Sequence, residues 1–114
     1  MSNDTEASPT VTHAPQALRY EIHLGPELAG FTEYRDDDNG RRIFFHTEIG
    51  ERFGGRGLAG RLVDQALTDT RDAGLRVVPV CPFVKKFARG HDTHADIVDP
   101  VTPQALEDLK RLRG

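Results

Sequence analysis

With 114 residues the chain has room for one hydrophobic core, because dividing it would leave two pieces too small to bury enough apolar surface. A formal net charge of -3, from 15 Lys+Arg against 18 Asp+Glu, speaks against nucleic acid as a partner. A single cysteine, Cys81, excludes an internal disulfide, and no stretch approaches the roughly 20 apolar residues of a membrane span.

The first segment, from Met1 to Thr10, is polar, rich in Ser and Thr and without periodicity, so residues 1–15 are expected to be a disordered tail and 16–114 a single domain. Met1 to Pro15 contains nothing like the apolar stretch of a signal peptide, and we read the protein as cytoplasmic, with no membrane contact. From Leu18 the pattern changes. Leu18, Tyr20, Ile22 and Leu24 alternate with Arg19, Glu21 and His23, which predicts a half-buried strand ended by Gly25-Pro26. A second extended run covers Ala29 to Tyr34, and Asn39-Gly40 supplies the positive φ angles of a tight reversal. The returning run Arg41 to Ile49 is rich in aromatic and β-branched residues, so a three-stranded antiparallel meander is predicted.

The period then switches. Leu58, Ala59, Leu62, Val63, Ala66, Leu67 and Ala73 recur at helical spacing, and Gly74 is placed to stop that helix. Leu75 to Cys81 reads as a further strand, in which Pro79 lacks a donor and therefore marks a bulge or an edge. Phe83, Val84, Phe87 and Ala88 predict a short helix closed by Gly90. A last, peripheral helix is announced by Thr102 as N-cap and Pro103 at the first helical position, followed by Leu106, Leu109 and Leu112.

Between strand and helix lies the run Glu51 to Gly60, with glycines at 54, 55, 57 and 60. A helix N-terminus offers unused N–H groups and a partial positive charge, and glycines let backbone approach a phosphate closely. The nucleoside-triphosphate loop fails here because no Lys-Ser or Lys-Thr pair follows. The dinucleotide pattern can be laid on Gly55 to Gly60, but the strands before it read as an antiparallel meander and not as the start of a βαβ unit. The remaining pattern is Q/R-x-x-G-x-G/A. Gly54-Gly55-Arg56-Gly57-Leu58-Ala59 matches its last four positions, with Gly54 in place of Gln or Arg. Arg52 to Gly57 matches all six, but the later register lets Leu58 begin the helical stripe and leaves Arg52 free for a phosphate.

That pattern belongs to the pyrophosphate loop of the GNAT acetyltransferases, and the chain resembles a compact branch of that family. The resemblance extends over His46-Thr47-Glu48-Ile49, Gly55 to Ala59 with Leu62-Val63 and Ala66-Leu67, and Cys81-Pro82-Phe83-Val84 with Phe87 and His91. It implies an α+β fold in which the strand ending near Ile49 splays from the strand Leu75 to Cys81, with short C-terminal helices. It further implies that the co-substrate is acetyl-CoA, whose pantetheine arm lies in the gap against the backbone of Thr47 to Ile49.

Acetyl transfer to an amine needs a neutral nucleophile, donors for the developing oxyanion and an acid for the leaving thiolate. Glu48 is the candidate general base, directly or through water, and His46 sits two residues earlier on the same strand face. Both are also explained as a solvated carboxylate and a backbone-bonded histidine. Cys81 is a candidate leaving-group acid or transient acetyl acceptor, against the plainer role of a small buried hydrophobe. Coenzyme-contacting candidates are Thr47, Ile49, Gly54, Gly55, Arg56, Gly57, Leu58, Ala59, Phe83 and Lys86. Lys85, Lys86 and Arg89 form either a solvated face or a phosphate patch, and Phe83 and Phe87 are core residues one of which also lines the cleft. His91, His94 and Asp96 read as polar surface and not as a metal site. The expected function is N-acetyl transfer to a protein lysine, an N-terminal amine or a small amine. The alternatives are a coenzyme-A-binding module without efficient catalysis, and a plain interaction domain.

Overall fold

The computed structural model describes residues 8–114, so the first seven residues of the expected tail lie outside the described residues. One five-stranded sheet runs in the order β1 (Pro9–Ala14), β2 (Arg19–Leu24), β3 (Glu27–Asp36), β4 (Arg41–Ile49) and β5 (Arg76–Pro79). Strands β1 to β4 are antiparallel neighbours, and β5 runs parallel to β4. The helices are α1 (Leu58–Asp72), α2 (Pro82–Gly90) and α3 (Pro103–Arg113).

Two expectations are corrected at once. Residues 9–14 are not part of a disordered tail, because Pro9 to Ala14 pairs with the whole of β2 and makes the meander four strands long. And β4-α1-β5 is a parallel crossover, so the ground given against a dinucleotide loop does not hold. What separates this sheet from a dinucleotide-binding one is its opening: the β4–β5 ladder ends at Phe44 opposite Pro79.

The β3–β4 reversal forms as its sequence dictates. Gly40 has φ of 75°, and Asp37 Oδ1 accepts the N–H groups of Asn39 and Arg41 at 2.8 and 2.9 Å. Burial pushes the Asp37 carboxyl up, but hydrogen bonds from the Arg41 backbone and guanidinium and from the Asn39 N–H outweigh it and hold the group below the usual carboxylate range.

The main core lies between the sheet and α1 with α2. Tyr20, Ile22, Tyr34 and Phe44 meet Leu62, Val63, Ala66 and Leu67 of α1 and Val84 of α2, all fully buried, with each Val, Leu, Ile and Phe side chain contributing about 1.5–3 kcal/mol by removal from water. The Gly74 stop takes the expected left-handed conformation, with φ of 77°. On the other sheet face, Ile43 and Val78 are covered by Ala105 and Leu109. Helix α3 is therefore not peripheral: it closes a second small core. Thr102 caps it by accepting the Ala105 N–H at 3.1 Å, and the inward stripe runs through Ala105 and Leu109 while Leu106 is 43% exposed.

Strand β1 is fastened by polar and aromatic contacts more than by apolar ones. The His13 ring stacks on Tyr20 at 4.3 Å and bonds the Tyr34 hydroxyl at 2.6 Å. Tyr20 in turn donates to Asp69 of α1 at 2.5 Å and accepts from Arg42 at 2.7 Å. Burial and the Asp69 bond push the Tyr20 phenol well above its ordinary range, so it stays a donor.

Candidate functional site

The chain between β4 and α1 forms a glycine-lined backbone cradle at the helix start. Gly55 and Gly57 both have positive φ, 77° and 72°, and Gly57 is the residue preceding α1, with no side chain capping the helix. Gly54 differs: it is extended, and its N–H is spent on Glu51 O at 3.2 Å. Among the described residues, the N–H groups from Gly55 to Gly60 find no protein acceptor, and the first helical bond outward is Arg61 N to Gly57 O at 3.3 Å. Leu58 contributes backbone only, since its side chain is 3% exposed in the core.

Two adjoining grooves open from this cradle. One, of about 410 Å³, is lined by Gly57, Gly60, Arg61, Asp64, Phe87 and His91. The other, of about 460 Å³, runs between α1 and α2, with Ala59, Gly60 and Val63 on one wall and Phe83, Lys86 and Phe87 on the other. Thus Gly57, Ala59, Phe83 and Lys86 converge on one continuous channel. Phe83 is not a core residue: it stands 48% exposed in the groove, while Phe87 packs on the core and stacks with His91 at 4.1 Å.

The cations around the channel have no carboxylate partners, although Asp64 also lines its first groove. Among the described residues Arg56, Arg61, Lys85, Lys86 and Arg89 have no carboxylate within salt-bridge reach, whereas Arg19, Arg41, Arg42 and Arg76 are all paired. Arg52, expected to be free for a phosphate, instead pairs with Glu27 and lies over the Phe53 ring at 4.7 Å; Arg56 lies 5.8 Å from the same ring.

The sheet itself parts between β4 and β5. Beyond Phe44, β5 abandons β4: the N–H groups of Val80 and Cys81 both turn onto Phe44 O, at 3.0 and 2.9 Å. The stretch Thr47 to Ile49 keeps its pairing to β3, through Thr32, Phe31 and Gly30, and has no strand on its other edge among the described residues. Gly30 is required here, because a Cβ would lie 2.4 Å from Glu48 O and 2.6 Å from Ile49 Cδ1.

A bulge decides which face each side chain takes. Tyr34 pairs with Phe44 and Glu33 with His46, so Phe45 is an extra residue in β4. Phe44 and Thr47, three apart, consequently share the face toward α1 and α2. There Cys81 Sγ donates to Thr47 Oγ1 at 3.1 Å, and Thr47 Oγ1 bonds Thr32 Oγ1 at 2.8 Å. Cys81 is 2% exposed. His46 and Glu48, cross-strand from Glu33 and Phe31, lie on the opposite face, bonded to each other at 2.8 Å and open to solvent. The three chemical candidates therefore gather at one splay point but not on one surface. Neither the bulge nor the Thr32–Thr47–Cys81 chain left a sequence signal.

His91, His94 and Asp96 do not converge. His91 Nδ1 faces Phe87 O at 3.0 Å, His94 Nε2 meets Thr68 Oγ1 at 2.9 Å, and Asp96 pairs with Arg71. Burial holds the His94 imidazole below its ordinary range against the pull of Asp64. Among the described residues no group of three His, Cys, Asp or Glu is placed to share a metal ion, and no helix is long and apolar enough to cross a membrane.

A glycine cradle opening a crossover helix, beside two strands that part, is matched by the family model for the GCN5-related N-acetyl-transferases over residues 19–97. The chain belongs to that family. A GCN5-like protein of Staphylococcus aureus, solved by NMR in solution, has the same fold, with a TM-score of 0.63 at 19% identity over 82% of this chain and 91% of that one. No curated protein matches the sequence. The family match begins after β1 and ends before α3.

Proposed function

We propose that the protein is an acetyl-CoA-dependent N-acetyltransferase of the cytoplasm, acting on a protein lysine or a small amine. The observation that carries this reading is the row of unused N–H groups from Gly55 to Gly60, open to the α1–α2 channel and flanked by unpaired cations. A pyrophosphate fits such a row, because backbone donors and the helix field act together on negative charge. Arg56 and Lys86 supply mobile cations on either side, and Phe83 offers an apolar wall. The backbone of Thr47 to Ile49 is the natural partner for the amide arm, as an added strand would be.

The two sheet faces suit the two halves of the reaction. The amine nitrogen attacks the thioester carbon, and its proton passes to Glu48, directly or through water, with His46 sharing the charge. As the C–S bond breaks, the departing sulfur takes a proton from Cys81 on the helix-covered face. Base and acid stand on opposite sides of the reacting carbon, so they do not compete for one position. The exposure of Glu48 and His46, at 60% and 45% of their side chains, favours a second reading, a coenzyme-binding module with a slow reaction, since nothing walls an acceptor in.

Calorimetric titration with CoA and acetyl-CoA tests the channel. Binding absent at millimolar concentration overturns both readings. Incubation with acetyl-CoA and a panel of polyamines and lysine peptides, followed by mass spectrometry, separates them: transfer abolished by Glu48→Gln supports the enzyme, and tight binding without transfer supports the module.

A further inference from the structure

Helix α2 divides its basic residues between two surfaces. Lys86 lines the channel toward α1, but Lys85 and Arg89, one turn apart, face away into a separate groove of about 350 Å³. That groove lies between the back of α2 and the segment that leaves Ile97, whose Val98 bridges Val77 at the free edge of β5. Its charge is unbalanced. The carboxylate that lines it, Asp99, is already held by Arg76, whose Nε and Nη2 reach Oδ1 at 2.8 Å each. Neither Lys85 nor Arg89 has a carboxylate partner among the described residues. The remaining lining is apolar: Pro79, Val98, Val101 and the methyl of Ala88.

We propose that this groove is a binding subsite for a small carboxylate carried on a short aliphatic stem. Two cations at (i, i+4) spacing are placed to hold the two oxygens of a carboxylate, and the valine and proline walls take the stem out of water. A phosphate is the poorer fit. The groove borders the last two turns of α2, whose unused carbonyls repel a doubly charged phosphate more than a singly charged carboxylate, and Pro79 and Pro100 lack the N–H groups that further phosphate oxygens need. The channel at the start of α1 has the reverse polarity and an abundance of donors, so the two sites select different anions. The inference does not rest on the first channel taking a coenzyme.

The test is an NMR titration of the ¹⁵N-labelled full chain with sodium butyrate, and in parallel with inorganic phosphate and with CoA. Butyrate is expected to shift the Ala88, Val98, Asp99 and Val101 amides saturably, phosphate to bind there at least tenfold more weakly, and CoA to leave that set unmoved. The double variant Lys85→Gln/Arg89→Gln, which breaks no ion pair among the described residues and whose fold is checked by its amide spectrum, should weaken butyrate at least tenfold, and Lys86→Gln should not. Shifts that never saturate, or that survive in the double variant, overturn the site. Phosphate binding as tightly as butyrate overturns the carboxylate assignment, and competition between butyrate and CoA overturns the separation of the two grooves.

Discussion

Gly60→Ala separates folding from binding at a single methyl group. Gly60 lies in the first turn of α1 with ordinary helical φ, and a Cβ built there meets no atom within 4 Å beyond the helix's own neighbouring turns. Replacing glycine by alanine inside a helix stabilises by up to about 1 kcal/mol, and near a helix start by about half that. For a domain of this size 0.5 kcal/mol raises Tm by about 2–4 °C. The same methyl projects where both grooves meet, since Gly60 lines each of them. Pushing a phosphate off the N–H row by the radius of a methyl costs at least one charge-assisted hydrogen bond, about 1.5–3 kcal/mol, or roughly ten- to a hundredfold in Kd. Thermal melts followed by circular dichroism and calorimetric titration with CoA measure the two effects on one sample. Stability and affinity should move in opposite directions, an outcome that damage to the fold cannot imitate. A variant that melts higher yet binds CoA as tightly as the wild type would refute the assignment of the pyrophosphate to this helix start.

Cys81→Ala should lower turnover by about 10²–10⁴ with CoA affinity kept, the range for a positioned acid; a rate within a few-fold of wild type returns the thiol to packing against Thr47. Gly30→Ala should destabilise by more than about 2 kcal/mol in urea melts, because the atom it strikes is the Glu48 backbone carbonyl, which cannot rotate aside. Asp37, with its carboxyl held below the usual range and 1% exposed, contributes stability that is complete above its unfolded pKa near 3.8 and lost as pH falls through the lower folded value. Asp37→Asn should therefore lower Tm at pH 7 and narrow its gap to the wild type in acid; a gap independent of pH would sink that account.

The elements that could be read ahead of the structure are those with local causes. Asn39-Gly40, Gly74 and the Thr102-Pro103 pair act through their own φ angles and hydrogen bonds, and the structure finds each in place. Strand β1 had no such cause: of its six residues only Val11 is a clear apolar signal, and its pairing depends on β2 and on His13 reaching Tyr34. The second core was hidden because Ala105, the residue α3 buries completely, is too small to stand out beside the exposed Leu106. At the site, the residues of the glycine run and of α2 were legible from composition and position. Their sidedness was not. Counting by twos along β4 sets Phe44 with His46, and only the extra residue Phe45 moves Thr47 to the helix face and leaves His46 and Glu48 on the other.

The parting of β4 and β5 gives the proposed reaction a kinetic meaning. With the acetyl donor on the helix-covered face and the amine on the other, the two would not share a doorway, and neither would have to leave before the other exchanges. Steady-state patterns should show it: CoA would compete with acetyl-CoA for the helix-side channel yet act as a noncompetitive inhibitor against the amine, and the acetylated product would do the reverse. The extra residue in β4 would then determine the order of events as well as the direction of side chains, by keeping the two traffic streams on separate sides of one layer of backbone.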